Sequence, residues 1–146
     1  MSNFEHQIEK KVKKDIYFNK GEKVYVQGNV AKYFLRKILS KYLVAFVKRK
    51  KDADKIVVQR TLDDKIDEFL YNFLYKKNNL KTKSEIILFK NITDKELKEY
   101  CRIKGIKFTP RKKHLETQKL IYELEKKFPQ IRFSLLKSIK ELEKII

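Results

Sequence analysis

The chain has 146 residues, the size of one domain, and 42% of them are hydrophobic, enough for a core and against wholesale disorder. Its formal charge is +18, from 37 Lys and Arg against 19 Asp and Glu; that sign favours an anionic polymer or a more acidic protein, with genome or habitat composition as the plainer source. One cysteine, Cys101, excludes an internal disulfide, a Cys-based zinc knuckle and a CxxC redox pair, and with no apolar signal core or run of about twenty apolar residues the expectation is a cytoplasmic protein without a membrane partner.

Phe4, Ile8, Val12 and Ile16 recur every fourth residue and predict an amphipathic helix over Phe4 to Ile16. Asn19, Lys20 and Gly21 make a turn into a strand at 23–27, with Val24 and Val26 on one face. A helix is then expected over residues 30–48, with Phe34, Leu35, Ile38, Leu39, Tyr42, Leu43 and Phe46 on a broad apolar side. It would end in the basic run Lys48, Arg49, Lys50 and Lys51, where cations suit a helix C-terminus.

Ile56, Val57, Val58 and Gln59 read as a buried parallel strand. Thr61 is a plausible N-cap for the next helix, and Asp63 and Asp64 suit its positive end. Leu62, Ile66, Phe69, Leu70, Phe73 and Leu74 give that helix the clearest periodicity in the chain, before a polar stretch at 76–84 that reads as a loop. A strand is expected at 85–89, and Thr93 with Glu96 forms a capping box for a helix that Gly105 closes. A brief extended piece at 106–108 leads through Pro110 to a second basic run, Arg111, Lys112 and Lys113. Two helices separated by Pro129 finish the chain.

Alternating strands and helices give an α/β class with a small parallel sheet and a helical C-terminal end. The expected organisation is a single domain: an N-terminal helix within 1–20, an α/β core at 21–108 and C-terminal helices at 109–146.

The chemistry-bearing residues are few. The strand–turn–helix frame around Gly28 has the shape of a phosphate-binding unit, yet one glycine is followed by Asn29, Val30, Ala31, Lys32, Tyr33 and Phe34, too bulky for close backbone approach to an anion. Lys32 is a lone cation there. Asp63 and Asp64 are adjacent, so on a helix they diverge by about 100° and do not pair by themselves. Cys101 falls mid-helix as a structural thiol, His114 is an exposed helix-start residue, and His6 and His114 have no surrounding metal-ligand pattern. The basic runs, Lys48 to Lys51 and Arg111 to Lys113, lie outside the apolar stripes and are the candidate RNA contacts, through phosphates rather than bases.

Four segments in order resemble the tRNA 2-thiolation enzymes, the archaeal and eukaryotic cytosolic thiouridylases of the adenylating PP-loop family. They are FEHQIEKKVKKDIYFNKGEKVYV, ending at Val26; DKIVVQRTLDDKIDEFLYNFL, from Asp54; ILFKNITDKELKEYCRIKGIKF, from Ile87; and ELEKKFPQIRFSLLKSIKEL, from Glu123. Leu62, Asp63 and Asp64 match the family's LDD directly, while Val58 to Thr61 stand where Thr, Gly, His and Asn are expected. The family's S-G-G-K-D-S loop falls on Asn29 to Phe34, where Lys32 alone survives. Neither catalytic cysteine has a counterpart, Cys101 falling at an alanine-like position, and the cysteine-rich zinc-binding ends are absent.

The resemblance implies a shortened PP-loop (adenine nucleotide alpha hydrolase-like) domain in which Lys32, Asp63 and Asp64 are vestigial nucleotide positions. It also implies no catalytic residue, no cofactor, no metal and no enzymatic activity. By analogy with the family's diverged second subunit, the expected role is a non-catalytic companion in tRNA wobble-uridine thiolation, binding a catalytic PP-loop paralogue, tRNA or both. A stand-alone basic RNA-binding protein is the alternative, and a residual ATP-dependent enzyme using Lys32, Asp63 and Asp64 is the third reading.

Overall fold

A computed structural model describes residues 3–14, 16–75 and 85–145. The polar stretch expected as a loop at 76–84 lies outside them. The chain divides into two compact units, one comprising Met1–Thr61 with Lys81–Pro110, the other Leu62–Leu80 with Arg111–Ile146.

The first unit is built on a four-stranded, all-parallel sheet. Its strands are β1 (Lys23–Gln27), β2 (Ala45–Phe46), β3 (Lys55–Thr61) and β4 (Glu85–Phe89), in the order β2-β1-β3-β4. Ile56, Val57 and Val58 are buried in succession because β3 is an inner strand covered on both faces. A small parallel sheet with surrounding helices is what the sequence predicts, β2 being the strand it does not place. Helix α1 (Asn3–Lys13) turns Ile8 and Val12 into a core shared with Val24, Val57, Phe89 and Leu97. Helix α4 (Asp94–Lys104) starts with the expected capping box between Thr93 and Glu96 and stops at Gly105, in the left-handed region at φ 72°.

The long helix expected over 30–48 is corrected. Helix α2 (Asn29–Tyr33) runs into a π-helical turn (Phe34–Ile38), a 3-10 turn (Ser40–Tyr42) and the edge strand β2. Leu43 breaks the helix at φ 50°. Pairing with β1 wins over helix continuation: Gly21 N–H donates to Leu43 O, Ala45 N–H to Glu22 O and Val47 N–H to Val24 O, at 2.8 to 3.1 Å. Tyr42, read as a helix-face residue, instead donates its hydroxyl to Ile16 O at 3.0 Å and sets its ring edge-on to Phe18. The basic run therefore follows a strand rather than closing a helix. No strand forms at 106–108.

The second unit is a trio of helices, α3 (Leu62–Tyr75), α5 (Leu115–Lys127) and α6 (Ile131–Ile145). Leu62, Ile66 and Leu70 of α3 meet Ile121 of α5 and Leu136 and Ile139 of α6 in a separate core. On α3 these lie on the apolar stripe the helical periodicity predicts, with Phe69 partly buried beside them, whereas Phe73 and Leu74 of that stripe are exposed.

Candidate functional site

In a parallel sheet, ligand chemistry concentrates at the carboxyl ends of the strands. Here β1 ends at Gln27 and turns through Gly28 into α2. Gly28 sits at φ 107°, a conformation L side chains rarely adopt, and a Cβ built on it would lie 2.5 Å from Cβ of Gln59. Gln59, on β3, reaches across and places Oε1 over the turn. That oxygen accepts from Val30 N–H at 2.7 Å and from Ala31 N–H at 3.0 Å. Asn29 turns away, donating its amide to Lys107 O at 2.6 Å.

The carboxamide oxygen of Gln59 thus occupies the position an anion would take on these amides. Phe34 is fully buried in the core against Phe89 and Tyr100, with ring centroids 5.1 and 5.3 Å away, and Tyr33 is half-buried beside it. Lys32 is exposed. Nothing in the residue pattern singled out Gln59; only the pairing of β3 with β1 brings it to Gly28.

Asp63 and Asp64, buried in the first turn of α3, are engaged by the helices of their own unit. Arg132 on α6 pairs with Asp63 and reaches Glu125 on α5 at 2.5 Å, while Lys113 pairs with Asp64 at 2.6 Å. One turn on, Asp67 is buried and gathers donors from the start of α5: His114 N–H at 3.1 Å, Gln118 Nε2 at 3.2 Å, the Thr117 hydroxyl, and His114 Nδ1 at 2.7 Å. A carboxylate only accepts, so Nδ1 carries the hydrogen. The His114 ring also stacks on Tyr71, centroids 3.6 Å apart. These acids clamp α5 and α6 to α3, a stronger engagement than the dipole role read from the sequence. Thr61, read as a helix cap, donates its hydroxyl to Asp94 Oδ1 at 2.6 Å.

The two basic runs differ. Lys48, Arg49, Lys50 and Lys51 are exposed, and a short 3-10 turn (Lys50–Asp52) carries the chain back to the amino end of the sheet. There Asp54 accepts from Lys23 N–H at 2.9 Å and donates its own N–H to Lys23 O at 2.8 Å. The run therefore lies at the end of the sheet opposite Gly28. In the second run Arg111 and Lys112 are exposed, whereas the Lys113 side chain is only 11% exposed and held by Asp64.

Cys101 is buried in α4, where burial pushes its thiol up to about 11, the inert thiol the sequence implies. Among the described residues no group of three His, Cys, Asp or Glu is placed to hold a metal ion. No described helix is long and apolar enough to cross a membrane.

No protein-family model and no curated protein matches the chain. Among solved structures it is similar to the U34-tRNA thiolase NcsA from Methanococcus maripaludis, which was determined with its [4Fe-4S] cluster. The similarity has a TM-score of 0.67 at 13% identity and covers 98% of this chain and 80% of that one. The fold is therefore α/β and PP-loop-like. The expectation that the chain is not an enzyme is overturned as a conclusion: the fold it shares is that of an enzyme, and loss of activity is not shown. A [4Fe-4S] cluster does not fit the residues present, because such clusters are held by several thiolates and this chain has one buried thiol.

Proposed function

We propose that this chain acts on tRNA in wobble-uridine thiolation in the cytoplasm, holding RNA on its basic surface and working beside a PP-loop partner chain. The carrying observation is the PP-loop-like fold, matched over 98% of the chain to a U34-tRNA thiolase, in a chain of net charge +18. Exposed Lys48 to Lys51, Arg111 and Lys112 support the RNA side of the reading, since lysine and arginine neutralise phosphates without reading bases. Gln59 on the Val30 and Ala31 amides and the solitary buried thiol support a partner chain, which would supply the thiolates that a cluster needs.

Those same two features also favour a second reading, a stand-alone RNA-binding protein. One experiment separates them. The tagged chain is recovered from its own cells, bound RNA and protein are identified, and 2-thiouridine in bulk tRNA is measured by mass spectrometry with and without the gene. Recovery of tRNA and a PP-loop protein, together with a fall in 2-thiouridine, supports the proposal. Recovery of RNA with no PP-loop protein and unchanged 2-thiouridine leaves the second reading and overturns the first.

A further inference from the structure

In the first unit, the β2 edge of the sheet leaves aromatic rings exposed beside cations. Leu43 breaks the helix and β2 pairs with β1, so the chain from Tyr42 to Phe46 runs along that edge near the amino end of β1. Tyr42 meets Tyr17 edge-on, ring centroids 6.2 Å apart, and Lys41 Nζ stands 5.2 Å from the Tyr42 ring. Phe46 lies in register with Val24, and the Arg36 guanidinium stands 5.6 Å over its ring. Among the described residues of this unit, the large apolar side chains left exposed are Tyr17 at 67%, Leu43 at 62%, Phe46 at 45% and Ile103, and the first three gather here. The acids of the stretch are engaged. Between Ile16 and Lys55 they are Glu22, Asp52 and Asp54. Glu22 pairs with Lys55 at 3.0 Å, Asp52 with Arg49 at 3.0 Å, and Asp54 accepts from Lys23 N–H at 2.9 Å. Arg36, Lys41 and the run Lys48 to Lys51 are exposed around the rings.

We infer that this edge of the sheet binds an unpaired stretch of RNA, with bases stacking on Tyr17 and Phe46 and phosphates meeting Arg36, Lys41 and the run Lys48 to Lys51. Binding of single strands combines a cationic track for the backbone with aromatic faces for the bases, and both are present here. A guanidinium plane over a ring adds a further flat surface to such a stack. A duplex keeps its base faces covered and would leave both rings unused. The chain from Tyr42 to Phe46 spans at most about 14 Å, the rise of roughly four nucleotides in a stacked strand. The choice of RNA over DNA rests on the function proposed above; the site itself rests on the geometry. It lies near the amino end of β1, whereas the Gly28 turn follows the carboxyl end.

The test is binding of a fluorescent, unstructured RNA of about 12 nucleotides, within the span a single-strand site covers. It is titrated across salt with the wild-type chain, Tyr17→Leu, Phe46→Leu and the two combined. Leucine keeps apolar bulk and loses the stacking face. Each single change is expected to weaken binding about fivefold or more near 100 mM salt, with the salt slope unchanged because no phosphate contact is lost. Tyr17→Phe keeps the ring and is expected to keep wild-type affinity. Arg36→Gln with Lys41→Gln makes the slope shallower by about 1.4, roughly 0.7 for each phosphate contact on a single strand. Circular dichroism confirms that the variants fold. Should Phe46→Leu not fold, the wild-type chain is crosslinked to the same RNA carrying a photoactivatable uridine, and adducts on Tyr17 or Phe46 by mass spectrometry give the same answer. Wild-type affinity in the leucine variants, or adducts confined to other segments, overturns the site; tRNA recovery and 2-thiouridine levels then decide the proposed function separately. A duplex of the same sequence bound as tightly as the single strand overturns the choice of unpaired RNA. A ring-dependent loss seen with single-stranded DNA and not with RNA overturns the choice of RNA. Polyglutamate bound as tightly as RNA, with the same dependence on Tyr17 and Phe46, overturns the site in favour of an acidic protein partner.

Discussion

Gly28 and Gln59 form a coupled pair. The glycine supplies a backbone angle and an absence of side chain, and the glutamine uses both to reach two amides that would otherwise lack an acceptor. Gly28→Ala combines backbone strain of about 1–3 kcal/mol with a collision against Gln59. Gln59→Ala removes two hydrogen bonds at a half-buried site and costs about 1 kcal/mol. The double variant removes the clash with the Gln59 carboxamide but keeps the clash with Cβ and the strain, so urea unfolding gives a sum of single losses only modestly larger than the double loss. Strict additivity would show that the two side chains do not meet. At Asp67 a single carboxylate serves four donors, and Asp67→Ala is expected to lower stability by about 3 kcal/mol because both His114 N–H groups and Gln118 lose their acceptor together, while Thr117 keeps His114 O. A loss under 1 kcal/mol in the same measurement contradicts that view.

At the scale of elements, the α1–α4 pair depends on its ion pairs more than a surface count suggests, since their side chains are partly covered. Burial pushes the Glu96 carboxyl up, but the Lys11 ammonium and the hydrogen bonds from Thr93 outweigh it and hold the group below its ordinary value of 4.5. A carboxyl that binds its proton less well folded than unfolded stabilises the fold above its unfolded pKa. That contribution drains away as pH falls through the folded value. Lys11→Met removes the ammonium and is expected to flatten the fall in stability between roughly pH 5 and pH 3, as followed by thermal melts. An unchanged pH profile would assign the acid sensitivity to other carboxylates. The same element scale explains β2. Leu43 to Val47 carry enough apolar residues to satisfy a helical stripe, yet a sheet edge with unpaired donors lies beside them, and hydrogen bonding to β1 decides.

For the whole molecule, charge sets the expected behaviour toward nucleic acid. A chain of +18 whose lysines neutralise six to ten phosphates loses about 10³–10⁵ in tRNA affinity between 50 and 200 mM salt. Fluorescence titration of tRNA at four salt concentrations checks this. A flat dependence would mean that the basic surface is solvated and does not meet phosphate.

The sequence by itself determined the parallel α/β class, the periodic helices, the capping box from Thr93 to Glu96 and the stop at Gly105, because each is local and carried by residues three or four apart or by one glycine. It also determined the net charge and the lack of a thiol set. Only the tertiary structure decided which groups meet. Gln59 reaches Gly28 through strand register, and Asp63, Asp64 and Asp67 meet Arg132, Lys113 and His114 across about fifty to seventy residues of chain. Glu5 and Glu9 of α1 are drawn inward to Lys104 and Tyr100 of α4. Charge can be counted from sequence, but its direction depends on partners that only folding brings together.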